Sequence, residues 1–474
     1  MRDEFDAVIV GSGPNGLTAA AVLARAGRRV LVLEAADTIG GGTRTDEALG
    51  TGIRRDVCSA VHPTGFASPA FAELELADHG LRWLVPDVSL GHVGAGEVVA
   101  IHRENADTAI ELGSDAHRWE SIVGYADDPH ALAAQVLEMP DLPRHPGAMS
   151  RFAAAAVLPV DTLTRAFGGH RAAMVFAGIA AHAERPLSAP GSSAAGMLLG
   201  GLTVSGWPIA EGGSRAITDA LAAIVVDHGG TIEMDCPVTE LGQLPTDCDL
   251  FFDTSPEMIL RLFGDRLPRR YARALRRFEY GGGACKVDFV LSEPIPWAVR
   301  PDVLARTATF HLADDVAQIR RTERDVAAGR VPERPWVLGG EPTRIDPTRA
   351  PEGTHLAWTY CHVPAGCEVD VSASIIAELE RRAPGFSDTV VDSMVTTAAD
   401  MQRHNANYVG GDINCGTSSL RQLVARPVLS PNPQVTGIPG VYLCSSATAP
   451  GGGVHGMSGY RAARAALRSR PGPR

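Results

Sequence analysis

A glycine loop set between a strand and a helix constrains this chain more than any other feature. Residues 5–10, FDAVIV, form an apolar, β-branched run suited to a strand covered on both faces. GSGPNG follows at 11–16 and matches G-x-G-x-x-G at Gly11, Gly13 and Gly16. LTAAAVLARAG then reads as an alanine-rich helix that Gly27 stops. RRVLVLEA is a second strand ending in Glu34. The hexapeptide alone is a weak signal. Placed between strand and helix, with an acid at the end of the next strand, it has the setting of a dinucleotide-binding unit.

The physics assigns each residue a task. Gly11 permits the tight turn, Gly13 lets the backbone approach a pyrophosphate, and Gly16 lets helix and strand pack closely. The helix N-terminus offers N–H donors and a partial positive charge to the phosphates. Glu34 can accept ribose hydroxyls, and its charge would repel a 2′-phosphate. After it, AADTIGGGTRT (35–45) places a glycine run and Arg44 where a second set of phosphate contacts would fall.

The far end of the chain repeats the device. VYLC at 441–444 reads as a short strand, SSATAPGGG as a small-residue loop, and the segment from about Gly456 as a helix. A helix N-terminus there would stabilise the negative charge of a reduced flavin. A nicotinamide enzyme has no need of this second unit, and no second G-x-G-x-x-G follows a strand, so FAD is the expected cofactor.

Composition removes other classes. The 474 residues carry a net charge of −12, without the basic surplus of a nucleic-acid binder. Of 43 lysines and arginines, one is lysine, at 286. The apolar stretches 152–160, 172–181 and 193–204 are too short to cross a bilayer. They read as buried core helices, with an apolar cavity lining or a peripheral membrane contact as the alternatives. Eight cysteines show no C-x-x-C and no metal spacing, and MRDEFDAVIV runs straight into a strand. The chain therefore reads as cytoplasmic, with reduced thiols and no metal site. RSRPGPR (468–474) reads as a frayed tail.

The chain resembles the phytoene desaturase-like family of FAD oxidoreductases, within the flavin amine oxidase and glutathione-reductase-type superfamily. It is especially similar to the phytoene dehydrogenase-related subgroup. The likeness rests on GSGPNG with Glu34, IGGGTRT, RRDVCSAVHP (54–63) and GWPIAEGGSRAITDAL (206–221). It continues through DPTRAPEGTHLAWTYCHVP (346–364), NYVGGDINCG (407–416) and YLCSSATAPGGGVHGMSGY (442–460). It implies an α/β architecture, with a Rossmann-type FAD-binding domain interleaved with an α+β substrate-binding domain. The expected FAD domain takes 1–75, 205–285 and 405–474, and the substrate domain 76–204 and 286–404. Ser214 reads as a helix cap, TIEMDCPVTEL as a strand, and 301–350 as surface helices and loops.

The same resemblance implies that Gly11, Gly13, Gly16, Glu34, Gly41, Gly42 and Arg44 hold the ADP half of FAD. Val238 would touch the adenine through its main chain. Ser445, Ser446, Val454, His455 and Met457 would lie along the ribityl chain and the ring. Where many relatives carry an acid for the ribityl hydroxyls, this chain has Cys444, Ser445 and Ser446.

Flavin chemistry asks the protein mainly to orient the substrate, exclude water and move a proton. Three side chains are candidates for catalysis. Lys286 lies in ACKVDFVL, a strand pattern that puts it on one face with Asp288. His455 lies in the terminal loop and His62 before Pro63. Structural roles compete with each: an exposed lysine, a helix cap and a buried packing histidine. Tyr408, Trp207 and Tyr460 read as core or pocket-shaping aromatics. The expected reaction is hydride transfer from a hydrophobic, isoprenoid-like or lipid-like substrate to flavin N5, with oxygen or a quinone taking the electrons. A flavin-dependent isomerase, an amine oxidase and a non-catalytic flavoprotein binding partner remain alternatives. The loop Gly451–Gly453 lacks the aromatics an amine oxidase places over its flavin.

Overall fold

A computed structural model of the chain describes residues 5–124, 129–138 and 144–469. Five short strands form a parallel sheet in the order 441–443, 249–252, 7–10, 30–33, 231–233. A parallel sheet must be covered on both faces, and alternation along Ala7–Val10 shows how. Ala7 and Ile9 pack with the helices Pro14–Arg25, Arg215–Asp227 and Met457–Ser469. Val8 and Val10 pack with Ile259, Phe263 and Tyr271 from the helices Pro256–Phe263 and Arg269–Arg276. The sheet and its two covers form a Rossmann-like dinucleotide-binding domain.

A second, mixed sheet of seven strands has the order 390–396, 283–291, 355–363, 337–340, 307–312, 88–93, 98–102. Its pairs are antiparallel, except that 307–312 runs parallel to 88–93. The register sets a row of neighbours across it: Thr396, Lys286, Tyr360, Leu338, His311, His92 and Val99. The period of two sends this row to one face and Val287, Phe289, Cys361 and Val337 to the other. The second face closes on Ile375, Leu379 and Phe386. The first looks toward the helices Pro146–Ala156, His170–Ala181 and Ser193–Gly201.

Four details differ from the sequence reading. The cut between 285 and 286 falls inside the continuous, fully buried strand Gly283–Leu291. The stretch 301–350 is surface only in part: it also supplies Thr307–Leu312 and Val337–Gly340 to the buried sheet, and Arg349 is buried against Asp56. Strand character in TIEMDCPVTEL stops at Glu233. Ser214 precedes its helix without capping it, because its hydroxyl donates to the Ser59 carbonyl instead. The 172–181 stretch lies in a buried helix, and no helix among the described residues is long and apolar enough to cross a membrane. Arg468 and Ser469 belong to the last helix, and the rest of the expected tail lies outside the described residues.

Candidate functional site

One cavity of about 1410 Å³ runs from the carboxyl ends of the parallel strands to the helix-facing side of the mixed sheet. Ligands of open α/β sheets bind at strand carboxyl ends, so the first end is the dinucleotide end. Gly11, Gly13, Glu34, Gly41, Gly42, Arg44, Val238, Ser445, Ser446 and Val454 all line the cavity. Gly16 and Met457 do not appear on its wall. Gly16 packs instead: a β-carbon there would lie 2.2 Å from the Gly11 carbonyl oxygen. Met457 is buried at the start of the last helix.

The glycines are required by space. A β-carbon on Gly42 would lie 2.0 Å from the Tyr408 hydroxyl, and one on Gly41 would lie 3.1 Å from the Gly13 α-carbon. Gly11 turns at φ +99°, a conformation closed to most side chains. The cradle therefore presents bare backbone, which is what close approach to a phosphate requires.

Glu34 is held firmly. One carboxylate oxygen accepts from the Ser12 N–H at 2.9 Å and the Ser12 hydroxyl at 2.5 Å. The other accepts from the Ala36 N–H at 2.9 Å and Arg44 at 3.1 Å. Arg44 also donates to the Thr38 carbonyl at 2.9 Å. The pair is thus a brace between the glycine loop and the segment beyond the second strand, where the sequence suggested two independent ligand contacts.

Asp253 was not anticipated. It follows DLFF, at the carboxyl end of the interior strand Asp249–Phe252, and lines the cavity. Its position after an apolar parallel strand was the available signal. Its Oδ2 accepts from the Gly16 N–H at 2.8 Å and would lie 2.6 Å from a β-carbon on Gly13. Burial, with a further push from Glu34, raises its carboxyl to about 7, against the opposing Gly16 hydrogen bond. A neutral carboxyl at that place suits a neighbouring phosphate; an ionised one repels it.

The carboxy-terminal loop is fixed by Arg426, also unforeseen. It is buried and donates to the carbonyls of Cys415 at 3.0 Å, Gly416 at 3.2 Å and Ser446 at 2.8 Å. Ser445 donates to the Thr254 carbonyl at 2.7 Å, and Asn15 reaches the Ser446 hydroxyl at 3.4 Å. Three of the seven non-glycine residues with positive φ among the described residues lie on the cavity wall. Trp207, Cys415 and Val454 have φ of +48°, +51° and +55°. Each costs about 1–3 kcal/mol, which the surrounding packing must offset.

The three expected catalytic side chains stand behind the wall. The Lys286 ammonium is buried, paired with Asp288, and donates to the Asp56 carbonyl at 2.9 Å. Arg55 holds the other oxygen of Asp288 at 2.9 Å, and Arg349 holds Asp56 at 2.9 Å. Burial would raise the Asp56 carboxyl, but Arg349, the Ser214 N–H and the Thr45 hydroxyl outweigh it and keep it low. His62 joins the same network through Ser214, at 2.8 Å. Lysine fits there because its charge is compact: two acceptors on one small locus leave no room for a planar fork. The network pins residues 54–62 to the mixed sheet, and Cys58–Val61 on that segment line the cavity. His455 accepts the Met457 N–H on Nδ1 at 3.1 Å, a helix-capping arrangement, while its buried Nε2 has no partner. Burial pushes both histidines down to about 4, so both are neutral at pH 7. Among the described residues no grouping of three or more histidines, cysteines or acids could hold a metal ion.

At its second end the cavity is apolar. Met149, Phe152, Ala156, Leu198, Leu199 and Trp358 form most of that wall. Tyr408 and Trp207 also line the cavity, whereas Tyr460 lies outside it and donates to Glu73 at 2.5 Å.

Residues 9–85 match the family model described as NAD(P)-binding Rossmann-like domain. The chain is 24% identical to the pyridine nucleotide-disulfide oxidoreductase domain-containing protein 2 of Rattus norvegicus, over 99% of this chain and 94% of that one. A stretch of 100 residues is 35% identical to a subunit of the limonene dehydrogenase of Castellaniella defragrans, covering 21% of this chain and 18% of the relative. In three dimensions the chain is similar to a putrescine oxidase triple mutant, with a TM-score of 0.64 and 18% identity over 98% of each chain. The chain thus has an α/β oxidoreductase fold with a Rossmann-like dinucleotide-binding domain, similar to that of the amine oxidases.

Proposed function

We propose that the protein is an FAD-dependent oxidoreductase of the phytoene desaturase-like kind, a dehydrogenase or desaturase of a hydrophobic small molecule. One observation carries this reading: a glycine-cradled dinucleotide end and an apolar end share a single cavity. FAD is favoured over a nicotinamide because two glycine-rich loops, at residues 11–16 and 451–453, border that cavity from opposite ends of the chain. The residues fit the group, since the cradle is bare backbone and Arg426 ties the second loop, through the Ser446 carbonyl, to the carbonyls of Cys415 and Gly416. When bound, the flavin supplies a two-electron acceptor, and oxygen or a quinone is the proposed acceptor of those electrons afterwards.

The chain's own part is to bind and to keep water out. Met149, Phe152, Leu198 and Trp358 would remove a hydrocarbon skeleton from water, at about 25 cal/mol per Å² buried. The buried network around Lys286 would hold Cys58–Val61 rigid against the ring. A relative named for limonene, an apolar isoprenoid, matches over 21% of this chain and motivates the choice of isoprenoids as test substrates.

Likeness to putrescine oxidase favours an amine oxidase as the second reading. Against it, the carboxylates that the described residues place on the cavity wall, Glu34, Asp253 and Glu257, all belong to the dinucleotide end, so none of them meets an ammonium at the apolar end. The purified yellow protein, mixed anaerobically with isoprenoids, lipids and amines, separates these. Bleaching near 450 nm, about where oxidised flavin absorbs, is expected with an isoprenoid or lipid. Bleaching by amines alone sustains the second reading. Product formed only after prior reduction, with no bleaching, identifies an isomerase. A protein that carries no flavin refutes both redox readings.

A further inference from the structure

The apolar end of the cavity is not wholly apolar. Polar side chains break it, among them Thr309, His182 and Tyr360. Thr309 is 2% exposed, lines the cavity, and its hydroxyl has no hydrogen-bond partner. It lies two residues before His311 and therefore on the same face of its strand, the face that carries the Tyr360–Leu338–His311 row. His182 meets that row from the adjoining helix end, its Nε2 lying 3.2 Å from Nε2 of His311. An orphaned hydroxyl this deeply buried is costly, and native proteins keep such groups where a ligand or water satisfies them.

Behind His182 stands a chain of buried rings that sets its proton. His92 donates from Nε2 to the Ala313 carbonyl at 3.1 Å, which leaves its Nδ1 a lone pair. The Nδ1 atoms of His92 and His311 are both buried and unpartnered, and both converge on Gly178. A β-carbon on Gly178 would lie 3.3 Å from the first and 2.7 Å from the second. We assign the His311 proton to Nδ1, away from His182, so that its Nε2 turns a lone pair toward His182. The 3.2 Å contact then places the His182 proton on Nε2. Its Nδ1, the nitrogen left for the cavity, is an acceptor. A main-chain carbonyl thus fixes the character of the cavity wall through three imidazoles.

All three groups are neutral. Burial, with the neighbouring His362 charge, pushes His182 down to about 3. Burial and the nearby Glu184 hold the Tyr360 hydroxyl well above its usual range. A carboxylate or an ammonium would find no counter-charge among them. A hydroxyl finds both things it needs: an acceptor in His182, and donors in Thr309 and Tyr360.

We infer that Thr309, His182 and Tyr360 form a subsite for a hydroxyl group on an otherwise hydrocarbon substrate. The inference rests on the proposal of an apolar substrate and narrows it to apolar alcohols, in place of pure hydrocarbons or amines. Thr309 and Tyr360 touch the hydroxyl oxygen and His182 its proton; His311 and His92 are positioning residues.

The test measures binding, not turnover. Farnesol, farnesyl methyl ether, farnesene and farnesylamine are titrated into the flavin-loaded protein while the fluorescence of Trp207 and Trp358, both on the cavity wall, is followed. Farnesol is expected to bind about tenfold or more tighter than the other three, the worth of hydrogen bonds that would otherwise go unmade. Thr309→Val, which keeps the shape, should cut that preference about three- to tenfold. His182→Phe should abolish it. Flavin content reports that each variant is folded. Equal binding of all four, tightest binding of the amine, or an unchanged preference in both variants overturns the subsite and leaves the apolar-substrate reading standing. Binding of none of the four removes that reading, and the subsite with it.

Discussion

Asp253→Asn tests the raised carboxyl that the fold places against the glycine cradle. In the folded chain this group titrates at about 7, against a starting value of 3.8. The difference of about 3.2 units corresponds to about 4 kcal/mol, at 1.36 kcal/mol per unit. The sign follows from the protons bound. Between pH 4 and 7 the folded state holds a proton that the unfolded chain has released, so stability falls as pH rises through that window. Integrated for this single group, about 2.5 kcal/mol of the loss falls between pH 5 and pH 8. Asparagine keeps an oxygen for the Gly16 N–H and does not titrate. The variant should therefore gain on the wild type by that amount over the same window. For a chain of this length unfolding as one unit, the gap in Tm should widen by about 2–3 °C. Differential scanning calorimetry of the flavin-free protein at pH 5, 6.5 and 8 reads it directly. A gap that stays constant with pH, or narrows, would refute the assignment of the raised carboxyl to Asp253.

Three further outcomes are expected. Lys286→Met leaves Asp288 short of one cation in a buried place and should cost about 3–5 kcal/mol. Calorimetry should show that loss, while anaerobic flavin reduction per folded molecule changes less than about tenfold, because the ammonium does not reach the cavity wall. Gly42→Ala drives a β-carbon into the Tyr408 hydroxyl. It should cost about 1–3 kcal/mol and lower retained flavin after gel filtration, with Tyr408→Phe in the same chain restoring part of it. His62, His92, His182 and His455 are held at about 3 to 4, chiefly by burial, below the usual 6.5. The unfolded chain takes up these protons first, as it does for His311, so stability falls as pH drops from 6.5 toward 4. The slope is about 1.4 kcal/mol per pH unit for each histidine, offset in part by the raised carboxyls of Asp253, Glu184, Glu341 and Asp412. A Tm that does not fall across that range would contradict the buried neutral state.

Local signals were readable and distant pairings were not. The loop Gly11–Gly16 is legible because its strand, turn and helix are adjacent in sequence. Alternation correctly placed Lys286 and Asp288 on one face. It could not reveal that Arg55 and the Asp56 carbonyl, more than 200 residues earlier, would occupy that charge. The stretch 301–350 looked like surface because it is rich in arginine and acid. Arg349 shows why composition misleads there: it is buried because Asp56 waits for it. His92, His182 and His311 are unremarkable in sequence and become a chain only when parallel pairing sets His92 beside His311. Asp253 was within reach, as the first polar residue after a buried parallel strand.

The crossing of the helices Pro14–Arg25 and Met457–Ser469 ties the glycine loop to a distant part of the chain. Gly459 lies where a β-carbon would come within 1.8 Å of the Asn15 carbonyl oxygen. The helix that opens from the glycine loop is therefore backed by residues more than 400 positions away in sequence. The strand 441–443, at the sheet edge beside 249–252, comes from the same distant segment. The GSGPNG fingerprint and the walls that back it are thus separable: a chain cut before residue 441 would display the fingerprint without the strand and helix that complete its cradle.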